Sequence, residues 1–176
     1  MEKGKEGRAL ISLEYFAGRE LFTYTVSPTQ FFVNLTRFIM DEDRRNWSFS
    51  PAQAPATDPA GVQLLPTTQL GIGMIRLPAG TEPEEILQLA TSIRNSIRPL
   101  DSFSRMSENG FWILFHGAES GCKRAIERVE ENFLATFDNV QKRRHMQGSL
   151  KVRLVMREPG QSRNEWIKKI DQLYFR

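Results

Sequence analysis

The 176-residue sequence predicts an α/β domain, a mixed sheet with helices on its faces. Three observations lead there. Four segments carry apolar residues at helical spacing behind a start signal. Three β-rich runs fall between them. The dipeptide Asn109–Gly110 joins the middle run to the residues before it in the manner of a tight hairpin.

The first helix is "SPTQFFVNLTRFIM", with Ser27 as N-cap, Pro28 in the first turn and Gln30 closing a capping box. Its Phe31, Leu35, Phe38 and Ile39 define the apolar stripe. "TEPEEILQLATSIRNSI" repeats the pattern with Thr81 and Glu84 as the box, followed by Ile86, Leu89, Ala90, Ile93 and Ile97. "ESGCKRAIERVEENFLATF" puts Cys122, Ala125, Ile126, Val129 and Phe133 on one face. "SRNEWIKKIDQLYFR" opens on a Ser162–Glu165 box and carries Trp166, Ile170, Leu173 and Tyr174.

Among the strands, "QLGIGMIRL" (69–77) is β-rich, and "FWILF" (111–115) is apolar throughout, as a strand covered on both faces would be. "LKVRLVM" alternates, with Leu150, Val152, Leu154 and Met156 on one side. Asn109 and Gly110 both tolerate positive φ, as the centre of a type I′ turn requires. "ALISLEYF" near the start reads equally as a further strand or a linker. Residues 1–23 are expected to be a tail, residues 24–176 the domain, and residues 41–68, aperiodic and rich in proline, a long surface loop.

Charge and cysteine content narrow the function. The formal net charge is +3, and the basic residues are scattered. The densest cluster, "QKRRH" at 141–145, reads as the cationic last turn of a helix, without the interleaved aromatics of a single-strand binder. A small anionic ligand suits this balance better than a nucleic-acid polymer. No apolar run approaches a membrane span, so no membrane role is expected. The single cysteine, Cys122, excludes an internal disulfide, suits a cytoplasmic setting, and falls on a core stripe. His116 and His145 are far apart and lack metal-ligand spacing. Asp41, Glu42 and Asp43 read as solvated residues at a helix end, and Trp112 and Trp166 as core.

Element order and local motifs together resemble the GGDEF domain, the fold of bacterial diguanylate cyclases, over roughly residues 24 to 176. "VSPTQFFVNLTRF" sits at the family's G-L-x-N-R-x-x-F opening. "RPLDSFSRMSENGFWILF" is similar, without a gap, to R-x-x-D-x-x-x-R-x-G-G-D-E-F. "AIERVEENF" resembles the next helix, and "WIKKIDQLYFR" the closing A-D-x-A-L-Y-x-A-K. The resemblance implies a GGDEF-like central mixed sheet of about five strands flanked by helices, in a bacterial cytoplasmic signalling protein.

It also implies lost catalysis. In active members the signature turn holds GTP phosphates and supplies a metal-binding carboxylate. Here its five positions are Ser107, Glu108, Asn109, Gly110 and Phe111, with Asn and Gly where the acids belong. Asn is a poor ligand for hard Mg²⁺ ions, and Glu108 lies one position early, which in a hairpin turns it to the other face. Arg76 stands where the family carries a metal-binding Asp, and the substrate helix is about ten residues short. No enzyme activity, no catalytic residue and no Mg²⁺ or other cofactor are expected.

What the resemblance retains is Arg98–Pro99–Leu100–Asp101, in register with the R-x-x-D inhibitory site that binds cyclic di-GMP. Arginine offers a planar fork to guanine or phosphate, and an aspartate accepts from guanine N–H groups. Arg128 aligns with a third residue of that site, whereas Arg105 is expected on the hairpin surface. The expectation is a cyclic di-GMP receptor without cyclase activity that signals to an unidentified protein partner, with ligand-bridged dimers implied by the family. The alternative is a protein-interaction scaffold that needs no nucleotide.

Overall fold

A computed structural model of the chain describes residues 15–16, 19–20, 23, 25–48 and 69–174. Two dipeptide strands, β1 (Tyr15–Phe16) and β2 (Arg19–Glu20), pair antiparallel within the expected tail. Then come helix α1 (Pro28–Ser48), strand β3 (Leu70–Arg76), helix α2 (Pro83–Ser96), strand β4 (Ser102–Ser107) and strand β5 (Gly110–His116). Helices α3 (Glu119–Leu134) and α4 (Val140–Ser149), strand β6 (Lys151–Met156) and helix α5 (Arg163–Tyr174) complete the order.

The main sheet runs β4-β5-β3-β6, antiparallel at each junction. Beyond β4, a single parallel bridge joins Val26 to Ser104, so the expected fifth strand is one residue long among the described residues, and it alone makes the sheet mixed. The sheet divides two cores. On one face Phe111, Ile113 and Phe115 pack with Ile93 of α2 and with Ile126, Val129 and Phe133 of α3. On the other, Trp112 and Leu114 pack with Phe31 and Leu35 of α1 and with Trp166 and Ile170 of α5. The unbroken apolar run of β5 thus serves two buried faces, as its sequence predicts. Val152, Leu154 and Met156 of β6 lie against the first core. Gly73 in β3 has a packing reason: a Cβ there would meet the Phe115 ring at 2.7 Å and Ile126 at 3.2 Å.

Of the three capping boxes expected, one forms as expected, at Ser162–Glu165. Ser27 Oγ accepts from Gln30 N–H at 3.2 Å, although the Gln30 amide turns to Asn34 rather than closing the box. Ser162 and Glu165 form the reciprocal box, at 2.9 and 3.3 Å. At α2 the start is one residue later than expected. Glu82 N–H donates to Glu85, and Thr81 instead donates its hydroxyl to Pro78 O.

Four further expectations are corrected. Helix α1 does not stop at Met40; residues 41–48 form its last two turns, and residues 49–68 of the expected loop lie outside those described. Nor are its acids all solvated. Glu42 is buried and meets the buried Arg157 guanidinium at 2.6 Å, with Asp43 at 2.8 Å. Burial pushes the Glu42 carboxyl up while Arg157 pulls it down. This tertiary pairing overrides the unfavourable placement of acids at a helix C-terminus. "QKRRH" is not a final turn, because the chain breaks after Leu134 and restarts with Asn139 capping Gln141 and Lys142. Lys142 then bridges to Glu85 of α2 at 2.6 Å. Finally, the hairpin turn is Glu108–Asn109, since Ser107 pairs with Gly110 and Gly110 is not among the positive-φ glycines.

Candidate functional site

Two stretches at opposite ends of β4 carry the residues singled out in the sequence. The first follows α2. Pro99 disfavours helical geometry at the residue before it, so the helix ends at Ser96 and Arg98 to Asp101 form a turn. Asp101 N–H donates to Arg98 O at 3.0 Å, and Asp101 Oδ2 accepts from Arg98 N–H at 3.0 Å. Its other oxygen, Oδ1, accepts from the backbone N–H of His116 at 2.9 Å, tying the turn to the end of β5. The His116 Nδ1 lies 3.5 Å from the same oxygen, and the Asp101 side chain is only 4% exposed. This changes the role open to Asp101: its carboxylate is committed to two backbone donors rather than presented to a guanine edge.

Arg98 is exposed. A Cβ placed on Gly117 would lie 3.7 Å from its Nη1, and one on Gly121 would lie 3.8 Å from Nη2, so the guanidinium rests over the first turn of α3 where side chains are absent. Beneath it is Cys122, buried as its stripe predicts. Burial pushes its thiol up to about 11, with Asp101 adding to the rise and Arg98 opposing it. Arg128, from the middle of α3, donates to Ser96 O at 2.8 Å, two residues before Arg98. Asn132 reinforces the junction by donating to Ser96 Oγ at 3.0 Å. The fold therefore brings Arg98, Asp101 and Arg128 to one junction between α2, α3 and the edge of the sheet. Sequence reasoning missed His116, Ser96 and Asn132, which act through backbone groups or second partners and leave no motif.

The second stretch is the hairpin. Arg105 is buried, not on the hairpin surface, and its guanidinium donates to Glu108 O at 3.1 and 2.6 Å. The Asn109 amide donates to Leu77 O at 2.6 Å, and Leu77 N–H donates back to Asn109 O at 2.9 Å. Ser107 Oγ lies 3.4 Å from Asn109 Oδ1, Gly110 opens β5, and Phe111 is fully buried. Glu108 is exposed. Arg76 pairs in register with Gly110 on one side and Lys151 on the other. The hairpin thus closes on itself and on the end of β3, with a cation at the adjoining strand end. Such a set does not fit a pair of divalent metal ions.

The chain matches no family model, and no curated protein matches it. Solved structures do share its fold. The GGDEF domain of DgcB from Caulobacter crescentus in complex with c-di-GMP superposes with a TM-score of 0.64 at 14% identity, covering 91% of this chain and 89% of that one. A DGC protein from Thermotoga maritima gives 0.54 at 13% identity, covering 86% and 96%. Diguanylate cyclase SiaD from Pseudomonas aeruginosa, in complex with its activator SiaC, gives 0.57 at 13%, covering 89% of this chain and 56% of SiaD. The chain has the fold of a GGDEF domain.

Proposed function

We propose that this chain, a GGDEF-type fold, is a cyclic di-GMP receptor without cyclase activity. The observation that supports it most is the exposed Arg98 guanidinium on a turn fixed by Asp101, with Arg128 anchored two residues upstream. A ligand with two phosphates and two guanines needs cationic forks held in place more than it needs a cavity. Arg98 and Arg128 meet the ligand, and Asp101 is the positioning residue whose hydrogen bonds aim Arg98. The cyclic di-GMP bound to the similar DgcB domain supports the choice of ligand.

The hairpin supports a reading without turnover. Asn109 spends its amide on Leu77 O, and Arg76 ends β3 opposite Gly110, a cation where the resemblance calls for a metal-binding Asp. A protein partner completes the reading, as SiaD engages SiaC. Ligand-bridged dimers are part of the same proposal, since stacked guanines expose further edges to arginine forks on a second surface.

The test uses fluorescently labelled cyclic di-GMP with the full chain. Binding displaced by unlabelled cyclic di-GMP and not by GTP is expected, together with no product from GTP and Mg²⁺ or Mn²⁺. Displacement by GTP, or measurable product, would contradict the proposal. Sedimentation with and without ligand reads the dimer.

A further inference from the structure

On the sheet face away from the Arg98 turn, helices α1 and α5 leave a trough between them. It holds a groove of about 860 Å³ along α1, which continues past Phe32 and Arg163 into a second groove of about 420 Å³ along α5. Its α1 wall is the row Thr29, Val33, Thr36, Met40 and Arg44, spaced in steps of three and four residues and so aligned on one face of the helix. At 1.5 Å per residue this row is about 22 Å long. Val33 and Met40, two turns apart on this row, are 55% and 59% exposed and line the groove with Phe32 and Thr36. Phe32 and Ile167 form the half-buried floor.

The rim is charged, with cations in excess. Arg37 and Arg44 stand on the α1 side, and Arg163 and Lys168 on the α5 side, against the acids Asp41 and Asp171. Arg163 is held across the trough by donating to Thr36 Oγ1 at 3.0 Å, and Arg44 lies 3.9 Å from Asp41. Four cations against two carboxylates leave the rim net positive.

We propose that this trough docks an acidic amphipathic helix of a partner protein, of about 15 residues to match the row on α1. Its apolar side chains, at helical spacing, would cover Val33, Met40 and Phe32. Its carboxylates would meet Arg37, Arg163 and Lys168. A second copy of this chain fits poorly, because a two-fold contact would set these cations against their own images. A flat anionic bilayer fits less well, because Phe32 and Ile167 are half-buried and a flat surface would not reach them. The surface is independent of the ligand turn, so either proposal can fail alone.

The test is a display library of 15-residue amphipathic helices whose polar faces sample Asp, Glu, Lys and Arg equally, selected against the full chain. Enriched clones should carry acidic polar faces. The strongest, as a labelled peptide, should bind at least tenfold more weakly to the Val33→Glu, Met40→Glu double variant, and several-fold more weakly to Arg163→Ala. Arg98→Ala should leave its affinity unchanged. Both trough variants alter exposed positions, and circular dichroism confirms that they fold. Enrichment of basic or neutral faces, clones indifferent to Val33 and Met40, or no enrichment at all would overturn the proposal. So would concentration-dependent dimers lost in the double variant, or binding of the chain to phosphatidylserine vesicles lost in that variant without any peptide binding.

Discussion

The hairpin at 107–111 and the turn at 98–101 sit at the two ends of the six-residue strand β4, and they differ in whether a cationic side chain is left exposed. In the hairpin the side chains are spent inward. The Arg105 guanidinium holds Glu108 O, and the Asn109 amide holds Leu77 O. In the turn it is the backbone that is held, by the Asp101 carboxylate and the N–H groups of Arg98 and His116. The Arg98 guanidinium is left exposed over the glycines that open α3. A buried amide or guanidinium turned onto a backbone carbonyl is turned away from solvent, whereas an exposed guanidinium on a turn fixed by its neighbours keeps N–H donors for a ligand. The two stretches thus differ in which side chains they leave exposed.

That contrast can be broken by substitution. The largest expected effect is from Asp101→Ala, which strands two backbone N–H groups. It should cost about 2–4 kcal/mol in urea unfolding, roughly 1–3 kcal/mol for the part-buried His116 N–H and about 1 kcal/mol for the exposed bond to Arg98 N–H, and should weaken ligand binding as well. Next is the pair Asn109→Asp, Gly110→Glu, which restores the acids of the signature. The new carboxylate would face Leu77 O where an amide now donates, so a stability loss of about 1–3 kcal/mol is expected by the same melt. No product should form from GTP, since Arg76 still opposes a metal. Product formation by this pair would erase the distinction between the two stretches.

Much of the fold was legible because its signals are local. The apolar stripe of α3, the double-sided run of β5 and the Ser162–Glu165 box each depend on residues close in sequence, and each appears where it was expected. What could not be read depends on distant partners or on backbone groups. The extra turns of α1 rest on Arg157, well over one hundred positions away, and the burial of Arg105 rests on a carbonyl that any residue could supply. The site was legible as residue types in register, but the commitment of Asp101 to His116 N–H was not, because a backbone donor carries no sequence signature.

The smallest effect expected, that of Arg98→Ala on alkylation, is read at Cys122, whose thiol is pushed up to about 11. At pH 8 its thiolate fraction is then on the order of 10⁻³, so alkylation of the folded protein should run a few hundredfold slower than that of a free cysteine. Asp101 raises this thiol and Arg98 lowers it, so Arg98→Ala should slow the reaction slightly further. Rapid labelling of the folded chain would mean that the turn does not cover α3 as described.

The most direct measurement is paired calorimetry with cyclic di-GMP on the full chain and on Arg98→Ala, with urea melts on both. Saturable heat from the unsubstituted chain is predicted. Arg98→Ala should lose about 1.5–3 kcal/mol of binding, roughly 10- to 150-fold in Kd, with unfolding stability changed by less than about 0.5 kcal/mol. No heat at high micromolar ligand, or undiminished binding by Arg98→Ala, would contradict the receptor reading.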